Sequence, residues 1–217
     1  MAPKLTTLAI AFLACTGSTT AKTYSLQETY DSTNFFDDDK FKFFESKFGT
    51  DNNNNVDPNY GFINYYGKEN AMKNGLVSTQ GGEVYIGVDH KATSWPIGGR
   101  PSVRLESSKQ YRKGLFIGRF THLPANKCGS WPAFWLFGDS WPNGGEIDMY
   151  ENFNNARYNA PTFHTGNTED VGTCNLDPLL STGTIRRTSC DHDPSNSGCG
   201  VDDTKGPYGT NRYGMDK

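Results

Sequence analysis

The sequence predicts an all-β chain rich in turns, and three observations carry that reading. Aromatic residues make up 13% of the 217 positions and 24 are glycine, a mixture that suits strands and tight turns. Stretches with helical periodicity are scarce. Short segments of β-branched and aromatic residues recur instead, punctuated by Gly, Pro, Asn or Ser.

The first element is a leader. Lys4 gives a positive n-region, Leu5 to Cys15 (LTTLAIAFLAC) an apolar h-region, and Thr19-Thr20-Ala21 a small-residue cleavage site. Residues 1–21 are therefore expected to be a signal peptide and 22–217 one secreted domain. The apolar run is too short to cross a bilayer, and no later segment has the length. Tyr24 to Phe48, with Asp37 to Asp39 in its middle, reads as a lead-in with short edge elements. Asp51 to Pro58 (DNNNNVDP) reads as a surface loop; it lacks the Gly and terminal Glu of a calcium loop.

Strand signals follow at Gly61–Tyr66, Leu76–Thr79, Glu83–Val88, Ser102–Ser107 and Gly114–His122. Ser102–Ser107 alternates, with Val103 and Leu105 facing one way and Arg104 and Glu106 the other. A Gly/Pro-rich turn, Pro96 to Pro101, separates two of these strands. Ser130 to Gly138 (SWPAFWLFG) is an aromatic strand, and a turn at Trp141–Gly145 leads into an acidic one. From Thr165 onward the chain is loop-like, without repeats or a linker.

Charge excludes one class of function. With 21 basic and 24 acidic residues the net charge is −3, and Lys and Arg do not cluster as nucleic-acid binding requires. Beyond the leader four cysteines remain, Cys128, Cys174, Cys190 and Cys199. In a secreted chain an even number points to disulfides, with three possible connectivities. Cys190 and Cys199 close a short polar loop and are the favoured pair. A zinc site is the rival, but there is no CxxC and His192 is the only histidine nearby.

The run GGEIDMYEN holds three acids, Glu146, Asp148 and Glu151. On a strand Glu146 and Asp148 share a face, while Glu151 would point to the other. One β-bulge near Met149–Tyr150 restores the parity and sets all three on one surface. Like charges in a row cost free energy, so the row requires either a cation among them or pKa values pushed apart. Glycosidic hydrolysis uses two carboxyl groups, about 5–5.5 Å apart in retaining enzymes. Four strand steps separate Glu146 from Glu151, roughly 13 Å between Cα atoms, a span that two inclined glutamates can largely close. The retaining geometry is therefore the expectation, with Asp148 between them tuning the nucleophile. Trp131, Trp135 and Trp141 precede the acids, and indole faces stack on sugar rings. Trp135, between Phe134 and Leu136, also fits a core role, whereas Trp141 in its turn suits a cleft. His164 (PTFHTG) reads equally as a structural histidine, and Arg104 by default as solvated surface.

These residues resemble glycoside hydrolase family 16 in its bulged, laminarinase-like form. Glu-Ile-Asp-Met-Tyr-Glu fits the pattern E-[hydrophobic]-D-x-x-E. GFINYY, VRLES, CGSWPAFWLFG, SWPNGGEID, the FHT segment and SGCGVDD resemble secreted fungal members as well. The resemblance implies a β-jelly-roll sandwich of two antiparallel sheets with a concave cleft, and retaining endo-hydrolysis of β-1,3- or mixed β-1,3/1,4-glucan. It implies Glu146 as nucleophile, Asp148 as its assisting acid and Glu151 as general acid/base. It places Asn64, Arg104, Trp131, Trp135, Trp141 and His164 along the glucan. It implies no cofactor or metal and a monomer that binds polysaccharide, not nucleic acid or membrane. Such relatives continue past the SGCG segment, so a chain ending at Gly214-Met215-Asp216-Lys217 is expected to be C-terminally truncated, with unpaired sheet edges. Tyr150 and Asn152-Phe153 depart from the usual Ile and Gly-Val. The alternatives are a cell-wall transglycosylase with the same covalent intermediate, a lectin on the same fold, which has no need of three adjacent acids, and a calcium site at the acids.

Overall fold

The computed structural model describes residues 23–47, 57, 61–93 and 98–204. The expected leader, the loop before Asp57 and the C-terminal stretch lie outside these. The described residues divide into two compact units between Leu115 and Phe116.

In the first unit β1 (Phe41–Phe43) pairs with β7 (Leu105–Ser107). Strands β2 (Ser46–Lys47), β3 (Ile63–Tyr65) and β6 (Arg100–Ser102) form a three-stranded sheet in which β3 and β6 run parallel. Between them come the short helix α1 (Lys68–Lys73) and a hairpin of β4 (Val77–Gln80) and β5 (Glu83–Ile86). The hairpin turns on Gly81 and Gly82, both at positive φ (61° and 82°), as a two-residue loop requires. Ala71, Leu76 and Val77 are its buried centre, with Phe36, Phe43, Tyr66 and Val103 packed around them.

The second unit is one antiparallel sheet. Its strands are β8 (Ala133–Phe137), β9 (Glu146–Glu151), β10 (Thr162–His164), β11 (Thr184–Arg187) and β12 (Cys199–Asp202), in spatial order β11-β12-β10-β9-β8. A one-turn helix α2 (Thr168–Val171) and a 3-10 turn at Pro178–Leu180 interrupt the long connection to β11. Cys190 and Cys199 form a disulfide beside β10. No helix among the described residues is long and apolar enough to cross a membrane.

Three strand expectations need correction. The chain past Thr165 is not all loop, because Thr184–Arg187 and Cys199–Asp202 pair with each other as β11 and β12. Ser102–Ser107 is two strands, β6 and β7, because the chain leaves one sheet at Ser102 and joins another at Leu105. Gly114–His122 carries strand-forming residues but joins no ladder among the described strands; Leu115 and Ile117 are exposed (58% and 81%). Cys128 and Cys174 are also not bridged. Cys128 is exposed at a turn, and Cys174 meets Cys190 only through the backbone (N–H to carbonyl, 3.0 Å), the Cys190 sulfur being taken by Cys199.

Candidate active site

Strand β9 carries the three acids, and its neighbour β8 is the ruler that shows how they align. Phe137 stands opposite Glu146, Trp135 opposite Asp148 and Ala133 opposite Glu151. These β8 residues are two apart and share one face, so the three acids do too. The register shifts between Phe134 and Trp135: Tyr150 pairs with Phe134 and Asp148 with Trp135, which leaves Met149 as the extra residue of a β-bulge. On the other side β10 sets His164 against Glu146 and Thr162 against Asp148.

The loop before β9 brings in Trp141. Gly138 N–H and Gly145 N–H close this turn on Gly145 and Pro142 carbonyls, both at 2.9 Å. A Cβ on Gly144 would stand 2.0 Å from the Asp139 carbonyl oxygen, so only glycine passes there. The Trp141 indole N–H then donates to Glu146 Oε2, and its ring meets His192 edge-on. At the far end of the row Trp131 Nε1 donates to Glu151 Oε1 at 2.8 Å, with Phe153 against its ring. Both indoles keep about half their surface exposed (42% and 55%).

Asp148 is buried at 2% exposure, its Oδ2 3.3 Å from His164 Nε2. Burial and then the Asp148 charge push Glu146 up to about 7, against the pull of His164 and the Trp141 N–H; a hydrogen bond to Asp148 also favours its protonated form. Burial and then Asp148 raise Glu151 as well, opposed by the Trp131 N–H, His164 and Arg186. His164 is held above its ordinary value: burial works to lower it, but its bond to Asp148 and the charges of Glu146, Asp148 and Glu151 outweigh that. Both terminal glutamates are thus shifted toward their protonated forms, Glu146 up to about 7. Two such neighbouring carboxyl groups can donate a proton to one atom and, once ionised, present an anion to another. Among the described residues Glu146, Asp148 and His164 are also a donor set that could meet a cation, with ligand atoms within 4.8 Å of one another.

Of the sequence-derived residues, Glu146, Asp148, Glu151, Trp131, Trp141 and His164 come together by direct contact or ladder pairing. Trp135 shares their face, half-buried, and stacks on Phe137 at 4.8 Å. Asn64 and Arg104 belong to the first unit. Asn64 is buried on β3. Arg104 is not solvated surface: its Nε donates to Glu106, its neighbour on the same face, at 2.8 Å, and its guanidinium lies 4.8 Å over the Phe44 ring. Sequence reasoning missed Arg186, whose Nη2 donates to Thr162 Oγ1 at 2.8 Å, and Asn159, which bonds to both sides of the bulge. The one sequence signal for Asn159 is the bulge itself, whose unpaired backbone groups demand a partner.

Residues 51–214 match the family described as "XgeA-like, catalytic GH16 domain". A probable glycosidase of Schizosaccharomyces pombe is 42% identical over 195 residues, which are 87% of this chain and 42% of that protein. A probable endo-1,3(4)-beta-glucanase of Aspergillus niger is 38% identical over 88% of this chain and 24% of its own length. Among solved structures, an elongating GH family 16 beta-1,3-glucosyltransferase superposes with a TM-score of 0.74 at 38% identity, covering 87% of this chain and 59% of that one. Laminarinase 16A from Phanerochaete chrysosporium, with beta-glucans in donor and acceptor sites, gives 0.64 at 30% identity, covering 82% and 56%. The chain thus spans less than half the length of these two curated relatives. The all-β, jelly-roll class expected from the sequence agrees with these likenesses.

Proposed function

We propose, for a chain that belongs to glycoside hydrolase family 16, the cleavage of β-1,3- or mixed β-1,3/1,4-glucan inside the polymer, with retention, by a secreted monomer. The observation that carries this reading is the bulged β9, which sets three carboxyl groups on one face and gives each terminal glutamate an indole N–H donor. The names of the Aspergillus and Phanerochaete relatives support the substrate class. The leader-like N-terminus supports secretion.

In this mechanism Glu146 passes its proton to Asp148, with which it shares a hydrogen bond, and the freed carboxylate attacks the anomeric carbon. His164, 3.3 Å away, offsets the charge on Asp148. Glu151, which burial and Asp148 shift toward its protonated form, gives its proton to the departing glycosidic oxygen. In the second half Glu151, now a carboxylate, takes a proton from water, the hydroxyl adds to the anomeric carbon, and Glu146 leaves and takes its proton back from Asp148. Trp141 and Trp131 stand beside the two glutamates with exposed rings on which sugar C–H faces can stack.

Reducing-end release from laminarin, lichenan and a β-1,4-glucan tests the reading, with the anomer of the first product followed by NMR. Release from the first two with retained configuration is expected. An inverted first product, or binding without release, overturns it. One observation favours a second reading: the glucosyltransferase structure superposes better than the laminarinase. There a sugar hydroxyl replaces water in the second half, and mass spectrometry would find products longer than the substrate.

A further inference from the structure

We propose that the Asn159 side chain is the clamp that holds the β9 bulge open and thereby aims Glu151, making it a positioning residue for the reaction proposed above, on which this inference rests. A bulge leaves backbone groups without ladder partners. On the β8 side pairing resumes at once, Tyr150 against Phe134 and Glu151 against Ala133. On the β10 side it does not. There the ladder covers only Glu146 to Asp148, and the next residue past Thr162 is Pro161, which has no N–H to donate. Met149 C=O and Glu151 N–H face that gap.

Asn159 fills it. Its Oδ1 accepts from Glu151 N–H at 3.0 Å and its Nδ2 donates to Met149 C=O at 2.9 Å. A carboxamide presents an acceptor and a donor side by side, as a peptide unit does, so it stands in for the missing rung. The two partners also fix which way the amide points, since an N–H needs the oxygen and a carbonyl the nitrogen. The residue is itself anchored: Asp203 N–H donates to the Asn159 carbonyl at 2.9 Å, and Ala160 N–H reaches Glu151 C=O at 3.4 Å. Without the carboxamide only the long Ala160–Glu151 backbone contact is left to hold the strand end on this side. A one-residue slip of the strand end turns Glu151 to the reverse face. Glu146 and Asp148 lie before the bulge and keep their register.

That asymmetry gives a test with the full chain and two substrates. Laminarin requires a proton on its leaving oxygen. A 2,4-dinitrophenyl β-laminarioside does not, because dinitrophenolate departs unprotonated. Asn159→Ala should lower kcat/KM on laminarin by ~10²-fold, the loss of a general acid, and leave kcat/KM on the dinitrophenyl substrate near wild type. A merely structural role lowers both in proportion to the protein unfolded. Asn159→Ser, whose hydroxyl cannot span both backbone groups, should show the same split and decides the matter if the alanine variant does not fold. Equal losses on both substrates, or no loss on either, overturn the clamp. A wild-type chain that cleaves neither substrate defeats the proposed function instead. The clamp is then decided by amide hydrogen exchange: faster exchange at Glu151 N–H in the folded variant supports it, and an unchanged rate overturns it.

Discussion

Glu28 in the first unit lies between Lys109 (3.1 Å) and Lys40 (3.4 Å), whereas Glu146 in the second faces Asp148 and has no lysine or arginine bonded to it among the described residues. The same side chain is driven in opposite directions. The hydrogen bonds from Lys109 and Lys40 draw Glu28 below its ordinary value, and Lys68 does the same to Asp38. Burial and a neighbouring anion drive Glu146 and Glu151 up. The contrast belongs to the strand face, not to the unit. Asp193, also in the second unit, is bonded by Ser195 and paired with Arg187 and is drawn down to about 2. Acids positioned for solubility or modest stability collect cations. The β9 row has His164 against Asp148 but no bonded lysine or arginine among the described residues, and two glutamates raised on one strand point to chemistry more than to stability.

The largest expected effect tests that contrast directly. Glu146→Gln should leave no glycosyl-enzyme to trap with a fluorinated glycoside, while Glu28→Gln leaves turnover at the wild-type level. Glu151→Gln should slow polysaccharide cleavage by roughly 10²–10⁴-fold, the span of a general acid. Azide should restore turnover of an activated glycoside by Glu151→Ala, because the small anion needs no base. Turnover in Glu28→Gln falling as far as in Glu151→Gln would erase the distinction between the two regions. Asp148→Asn keeps the shape but loses the proton acceptor for Glu146, and should weaken turnover without abolishing it.

A smaller effect concerns what compensates the acid face. The first unit is stitched by ion pairs, which salt screens. Behind His164 the second unit has a covalent brace: Cys199 stands opposite Phe163 on β10, and Thr165 N–H donates to the Cys190 carbonyl at 3.1 Å. The bridge closes a loop with a sequence separation of 9, a length that removes about 2.5 kcal/mol of loop-closure freedom from the unfolded chain. Reduction with dithiothreitol should therefore lower the melting temperature, and 0.5–1 M salt should not reproduce the loss. Equal sensitivity to salt and to reductant would make the two units alike in what holds them.

How much of this was legible beforehand follows from the range of the forces involved. The acid row and its bulge could be read because strand parity is local: Glu151 sits three residues past Asp148, and only an inserted residue brings it round. Strands β3, β4, β5 and β8 could be read for the same reason, from their own side chains and flanking turns. Gly114–His122 could not, because a ladder depends on a partner that its own residues do not encode. Arg104 looked solvated because alternation sets it on the polar face with Glu106, but alternation does not tell what else lies on that face: Glu106 and the Phe44 ring take up the guanidinium. Cys128 and Cys174 looked paired because parity of count is blind to distance. Asn159 stayed hidden because a carboxamide that replaces a peptide rung leaves no periodic trace.

The smallest effect is the dependence of stability on pH, and the two regions should pull it in opposite directions. Glu146 holds its proton up to about 7 in the folded chain, while an unfolded glutamate releases it near 4.3. Between these values the folded state binds more protons, so stability falls as pH rises through that window. His164 adds in the same direction, since its raised value gives stability below about 6.5 that is lost as pH climbs through its folded pKa. Glu28 and Asp38, drawn down, contribute stability above their unfolded values that is lost as pH falls through the lowered ones. Melting curves from pH 3 to 8 should therefore peak on the acid side of neutrality. Glu146→Gln, isosteric and unable to ionise, should flatten the descending limb and raise the melting temperature at pH 7.5. Glu28→Gln should flatten only the ascending limb. A Glu146→Gln chain that melts lower than wild type at pH 7.5 would mean that the ionised row stabilises the sheet, and the contrast between the two clusters would have to be drawn from something other than charge.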